Sequence, residues 1–304
     1  MKLFGESEAI GAEQTSQLEI GLAQTRLNLG AVKSVIAFAS SKGGVGKSAI
    51  LTSVAIALVL RGRKVGLLDA DLNSPSVAAM LGMGRARLYP TGDQIDPAAG
   101  PLGLRVVASN LLAESEPPAL SLVDEEPPAI TNGARPVELT RPQMIRRLLG
   151  QTRFGALDFL LIDAAPGLAE MELIAANAPL AGFILLSHPS QLGVQSAKCA
   201  LETAARAAVP VLGIIENMTG FFCESCHSVR PLLPHGEMAA LAARKGPPII
   251  GRLPFDPRLA EACDRGTPFV KEHADAPLAK LIVEVAGRIE ELLRARLDQS
   301  ASSG

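Results

Sequence analysis

From Ser34 onward, short runs of Val, Ile and Leu alternate with longer stretches whose apolar residues recur every three or four positions. Continuous apolar runs bounded by turn residues read as strands covered on both faces, and the longer periodic stretches as helices. The strand candidates are Val35–Ala39, Val65–Asp69, Leu104–Ala108, Phe159–Asp163, Phe183–Ser187, Val211–Ile215 and Ile249–Leu253. Helices are expected at Ser48–Leu60, Val194–Ala207, Leu259–Asp264 and Pro277–Leu297. The last carries Leu278, Leu281, Ile282, Val285, Ile289 and Leu292 at helical spacing, which suits a closing helix packed on the domain. Strands alternating with helices predict an α/β fold, a doubly wound, mostly parallel sheet with helices on both faces.

The pattern lapses at both ends and once in the middle. Residues 1–30 read as a polar N-terminal extension, 31–297 as the α/β domain and 298–304 as a disordered tail. Between Gly84 and Pro136 the chain holds Pro117-Pro118 and Pro127-Pro128 and no sustained period, the mark of long surface loops around one strand.

Composition narrows the function classes. Trp is absent and Tyr occurs once, so stacking platforms for single-stranded nucleic acid are not expected. A net charge of -2 argues against a broad basic face, and no nucleic-acid partner is expected. No apolar run is long enough to span a bilayer, and Lys2, Glu6 and Glu8 do not suit a secretory signal, so a cytoplasmic location is expected.

Ser41-Lys42-Gly43-Gly44-Val45-Gly46-Lys47-Ser48 lies between a strand and a helix. Small residues there free backbone N–H groups to face phosphate oxygens, and the helix that follows adds its N-terminal dipole. Lys47 supplies a charge to the outer phosphates and the Ser48 hydroxyl suits Mg²⁺, as a P-loop NTPase requires for ATP. Asp69 and Asp71 follow one strand and Asp163 ends another. In a parallel sheet such ends converge on the phosphate site. Asp69 and Asp163 are candidate Mg²⁺ partners, direct or through water, and Asp71 could orient an attacking water. Lys42, Lys47 and Asp71 form the candidate catalytic set.

Cys223-Glu224-Ser225-Cys226 provides two of the chain's four Cys at metal-ligand spacing. Two thiolates are half of a tetrahedral site, for an iron–sulfur cluster or for zinc, and a two-fold axis can supply the other half. Read with His227, the same residues also spell a c-type haem attachment pattern, which would require export. Cys199 and Cys263 are expected to be packing residues, His188 a loop residue at an edge that could also face the nucleotide, and Arg146 and Arg147 a solvated helix face.

Two resemblances follow. The loop with its extra Lys42 resembles the deviant Walker A motif of the ParA/MinD/Mrp group, in which that lysine reaches a partner's nucleotide. Glu216-Asn217-Met218 leading into Cys-x-x-Cys, with Leu67-Leu68-Asp69-Ala70-Asp71, Gly251-Arg252-Leu253-Pro254 and Gly266-Thr267-Pro268-Phe269-Val270, resembles the Mrp/ApbC iron–sulfur carrier ATPases over about residues 33–292. That resemblance implies a homodimer with weak ATP hydrolysis. It also implies a [4Fe–4S] cluster on Cys223 and Cys226 of both subunits, apo iron–sulfur proteins as recipients, and Asn217 as an adenine contact. The alternatives are a ParA/MinD-like spatial organiser and a zinc-stabilised regulatory ATPase. The sequence departs from the family at Ala49, in place of Thr, and at Ala165, in place of the first Pro of Pro-Pro-Gly.

Overall fold

The computed structural model describes residues 19–92, 94–112, 122–123, 139–223, 228–233, 237–244 and 246–302. A nine-stranded sheet runs Ser228–Arg230, Val211–Cys223, Gly182–Ser187, Val32–Ala39, Leu157–Asp163, Val65–Asp69, Arg105–Ala108, Ala98–Ala99, and Ile249–Phe255 also pairs with Val211–Cys223. The long strands pair in parallel, with Ser228–Arg230 and Ala98–Ala99 antiparallel at the periphery. This is the mostly parallel α/β sheet expected from the alternation of apolar runs.

The sheet centre explains why the core can be aliphatic. Val32–Ala39 lies between Leu157–Asp163 and Gly182–Ser187, and Ile36, Ala37, Phe38, Leu160, Leu161, Ile162 and Ile184 are wholly buried. Lys47–Leu60 follows it as a helix buried along nearly its whole length. Its Thr52 and Ser53 hydroxyls donate back to the carbonyls of Ser48 and Ala49, so polar side chains in an apolar helix remain satisfied.

The last helix, Pro277–Ser302, packs on Lys47–Leu60 and on Ile249–Phe255, with Leu278, Ile282, Val285 and Ile289 buried. Arg61 and Arg63 both reach the buried Glu290 carboxylate and fasten the two helices together. Burial alone would raise that carboxyl, but its hydrogen bonds from Arg61 and Arg63 outweigh burial and hold it below the ordinary value. The tail expected from residue 298 is instead helical as far as Ser302, because Asp298-Gln299-Ser300-Ala301 contains no Gly or Pro to stop it.

Other expectations need revision. The loop region holds the short strands Pro90–Thr91, Gln94–Ile95 and Ala98–Ala99 besides Arg105–Ala108. The polar extension, read from the sequence as a flexible or helical lead-in, is helical over residues 19–28 and needs no revision; its Asn28 donates to the Leu149 carbonyl at 2.7 Å. Arg146 is not on a solvated face. It donates to Asn177 at 2.9 Å, and burial lowers its guanidinium pKa.

Candidate functional site

The C-terminal ends of the parallel strands gather the candidate chemistry at one edge of the sheet. Register places Asp163 beside Phe38 on one side and Asp69 on the other. The phosphate-binding loop, Ser41–Ser48, starts three residues after Phe38. The Ser40 carbonyl accepts from Gly167 N at 2.9 Å and the Asp163 carbonyl from Ala70 N at 2.9 Å, so the three connections are laced together.

Within the loop, Gly44 and Gly46 have φ of 78° and 82°, the left-handed region that favours glycine. Gly46 precedes helix Lys47–Leu60 without any side-chain cap on the first amides. A phosphate-sized anion is the natural partner for such a terminus.

Lys47 pairs with the Asp163 carboxylate, and the Ser48 hydroxyl donates to its other oxygen at 2.5 Å. Lys47 and Asp163 are both buried. Burial pushes Asp163 upward, and Lys47 opposes that shift. A buried carboxylate beside a hydroxyl is a hard-oxygen donor set, the kind that suits Mg²⁺.

Asp69 is arranged differently. Its carboxylate, 0% exposed, accepts from the amides of Asp71 at 3.1 Å, Ser76 at 2.8 Å and Val77 at 3.0 Å. Burial first, and then the charge of Asp163, raise its pKa to about 7. The side chain thus shapes the loop carrying Asp71. Asp71 itself is half-buried, accepts from Ser74 N at 3.1 Å, and lines a cavity of about 230 Å³ with the phosphate-binding loop, Met80 and Pro166.

Lys42 is exposed and, among the described residues, makes no ion pair. It lines that cavity and a second one of about 180 Å³, shared with Ser41, His188, Ser190 and Ser196. His188 lies in the loop after strand Gly182–Ser187, as expected, and its Nε2 is buried with no hydrogen-bond partner among the described residues. Burial also lowers its pKa.

Asn217, which the family resemblance marks as an adenine contact, also has a structural partner in the loop. It is buried and donates from Nδ2 to the Val45 carbonyl at 2.9 Å, tying the loop to strand Val211–Cys223. Glu216 beside it is held by Arg252 at 2.8 Å.

Strand Val211–Cys223 ends at the first residue of the cysteine pair. Cys226 and His227 lie outside the described residues. Cys199 and Cys263 are half-buried, and burial with Asp264 nearby pushes the Cys263 thiol up to about 11, which suits a packing residue. No described helix is long and apolar enough to cross a membrane.

The comparisons with known proteins agree with this geometry. Residues 31–290 match the family model described as ParA: NUBPL iron-transfer P-loop NTPase. An iron–sulfur cluster carrier protein of Saccharolobus solfataricus is 33% identical over 266 residues, 87% of this chain and 85% of the relative. A nucleotide-binding protein of Archaeoglobus fulgidus, solved in complex with ADP, is 27% identical with a TM-score of 0.69, over 85% of this chain and 95% of that one. The cell division ATPase MinD of Pyrococcus furiosus shares the fold at 22% identity, with a TM-score of 0.58 over 86% of this chain and 100% of that one.

Proposed function

The chain belongs to the ParA-group NUBPL iron-transfer P-loop NTPases, and from that premise we propose that it is a homodimeric, ATP-binding carrier of iron–sulfur clusters. In this proposal Cys223 and Cys226 of two subunits hold a [4Fe–4S] cluster and pass it to apo-proteins, with no nucleic acid involved.

The supporting observation is one strand, Val211–Cys223. It meets the phosphate-binding loop at Asn217 and ends at the cysteine pair. In this reading the site for nucleotide and the site for soft-metal cargo share one strand.

The loop amides and Lys47 would receive the ATP phosphates. Lys47 then exchanges the Asp163 carboxylate for phosphate oxygens, so its buried charge is never left unpaired. Magnesium would be held by the Ser48 hydroxyl and, through water, by Asp163, and would neutralise charge on the outer phosphates. Asp71, in the same cavity, is placed to orient a water toward the terminal phosphate. Lys42, exposed at the cavity mouth, would complete the partner subunit's site. Hydrolysis is slow in this proposal, because it waits for dimerisation to bring in that second lysine.

Anaerobic reconstitution with iron and sulfide, followed by metal analysis and visible absorbance, tests the proposal. The wild-type protein should take up about four iron atoms per dimer, and Cys223→Ala and Cys226→Ala should take up almost none. Equal uptake by the variants, or zinc as the only metal retained, would overturn it.

A further inference from the structure

Between the phosphate-binding loop and the cysteines, strand Val211–Cys223 is not regular. Its ladder with Ile249–Phe255 pairs Asn217 with Leu253 and next pairs Phe221 with Phe255. Met218, Thr219 and Gly220 therefore face Pro254 alone. Pro254 has no N–H to give the ladder, which is a physical reason for the strand to bulge there.

Met218 has φ of 58°, a left-handed conformation that L side chains rarely adopt. Such a backbone persists only where its surroundings over-determine it. The phosphate-binding loop lies beside it. A β-carbon built on Gly46 would lie 2.5 Å from Asn217 Nδ2 and 4.0 Å from Met218 Cε. Beyond the bulge the strand resumes, with Phe221, Phe222 and Cys223 paired antiparallel to Arg230, Val229 and Ser228.

We propose that the bulge Met218–Gly220 is a coupling element, through which nucleotide in the phosphate-binding loop changes the reactivity and metal affinity of Cys223, where the strand ends. A shift of Val45 and Gly46 on phosphate binding pulls Asn217 through its hydrogen bond. The next residue is the strained one, so the displacement is taken up there and passed to the short ladder that ends in Cys223. Coupling of this kind is reciprocal: ligation of the cysteines must change nucleotide affinity by the same factor. The proposal rests on the carrier reading only for the identity of the cargo.

The test uses the full chain with Cys199→Ser and Cys263→Ser, leaving Cys223 and Cys226 as its thiols. Their alkylation by iodoacetamide is timed with and without magnesium and ATPγS, and nucleotide Kd is measured with and without Zn²⁺. In this parent protein the nucleotide should change the alkylation rate about fivefold or more, and Zn²⁺ should shift the Kd by a matching factor. Met218→Gly, which relieves the left-handed strain, and Pro254→Ala, which restores a ladder donor, should each still bind nucleotide but lose most of both effects.

Coupling undiminished in both variants, or absent from the parent, would overturn the proposal. A parent that takes up no cluster yet shows both effects would sink the carrier reading and leave the coupling standing.

Discussion

The Asn217 side-chain amide donates to the Val45 carbonyl across 2.9 Å, and both residues are buried. One hydrogen bond thus fixes the phosphate-binding loop against a strand that follows it by more than 160 residues. In Asn217→Ala the carbonyl loses its partner in the interior, a loss of about 1–3 kcal/mol. The variant should unfold at lower urea concentration and bind ATP more weakly. Unchanged values for both in a urea titration and a fluorescent-nucleotide titration would contradict this role for the bond.

Gly46→Ala attacks the same junction from the loop side. The new methyl group would sit 2.5 Å from Asn217 Nδ2, on a backbone with φ of 82°. The strained backbone costs about 1–2 kcal/mol, and displacing Asn217 adds the lost hydrogen bond. ATP affinity should fall on the order of tenfold or more. Gly44→Ala is the control: its φ is 78°, but a β-carbon there meets nothing within 4 Å. If both variants bind equally well, steric contact with Asn217 is not what requires a glycine at position 46.

The contrast between these two glycines marks how far the sequence could be read. The loop, the central strands and helix Lys47–Leu60 were legible because their signals are local, an apolar run or a fixed spacing. Strand Val211–Cys223 was expected to end at Ile215, since Glu216 and Asn217 break the apolar run. Both polar groups are satisfied by distant residues, Arg252 and Val45, which no local pattern encodes. Asp69 illustrates the same limit. Its place at a strand end suggested a metal partner, and no local pattern showed that its oxygens also accept three backbone amides. Arg146 was assigned to solvent because its partner, Asn177, lies on another helix.

Lys47 and Asp163 form a buried pair, so removing one member leaves the other charge uncompensated. Lys47→Met should lose about 3–5 kcal/mol of stability at pH 7. Adding Asp163→Asn should restore part of it, making the double variant less destabilised than the sum of the singles. The cost of Lys47→Met should also shrink as the pH falls, because burial already pushes the Asp163 carboxyl toward its neutral form. Strict additivity in urea denaturation would show that the pair contributes no interaction of its own.

The Glu290 carboxylate joins the end of helix Lys47–Leu60 to the last helix through Arg61 at 2.6 Å and through Arg63. Glu290→Gln removes the charge that both guanidinium groups face. These arginines are partly exposed, which reduces the loss to about 1–2 kcal/mol. The pH dependence carries a definite sign. The folded-state pKa of Glu290 lies below the ordinary value of 4.5. Its ionised form therefore contributes fully above 4.5, and the contribution is lost as pH falls through the lower folded value. The difference in unfolding free energy between wild type and Glu290→Gln should be constant near neutrality and contract in acid. A difference that stays the same from neutral to acidic pH would mean that Glu290 acts through packing rather than through its charge.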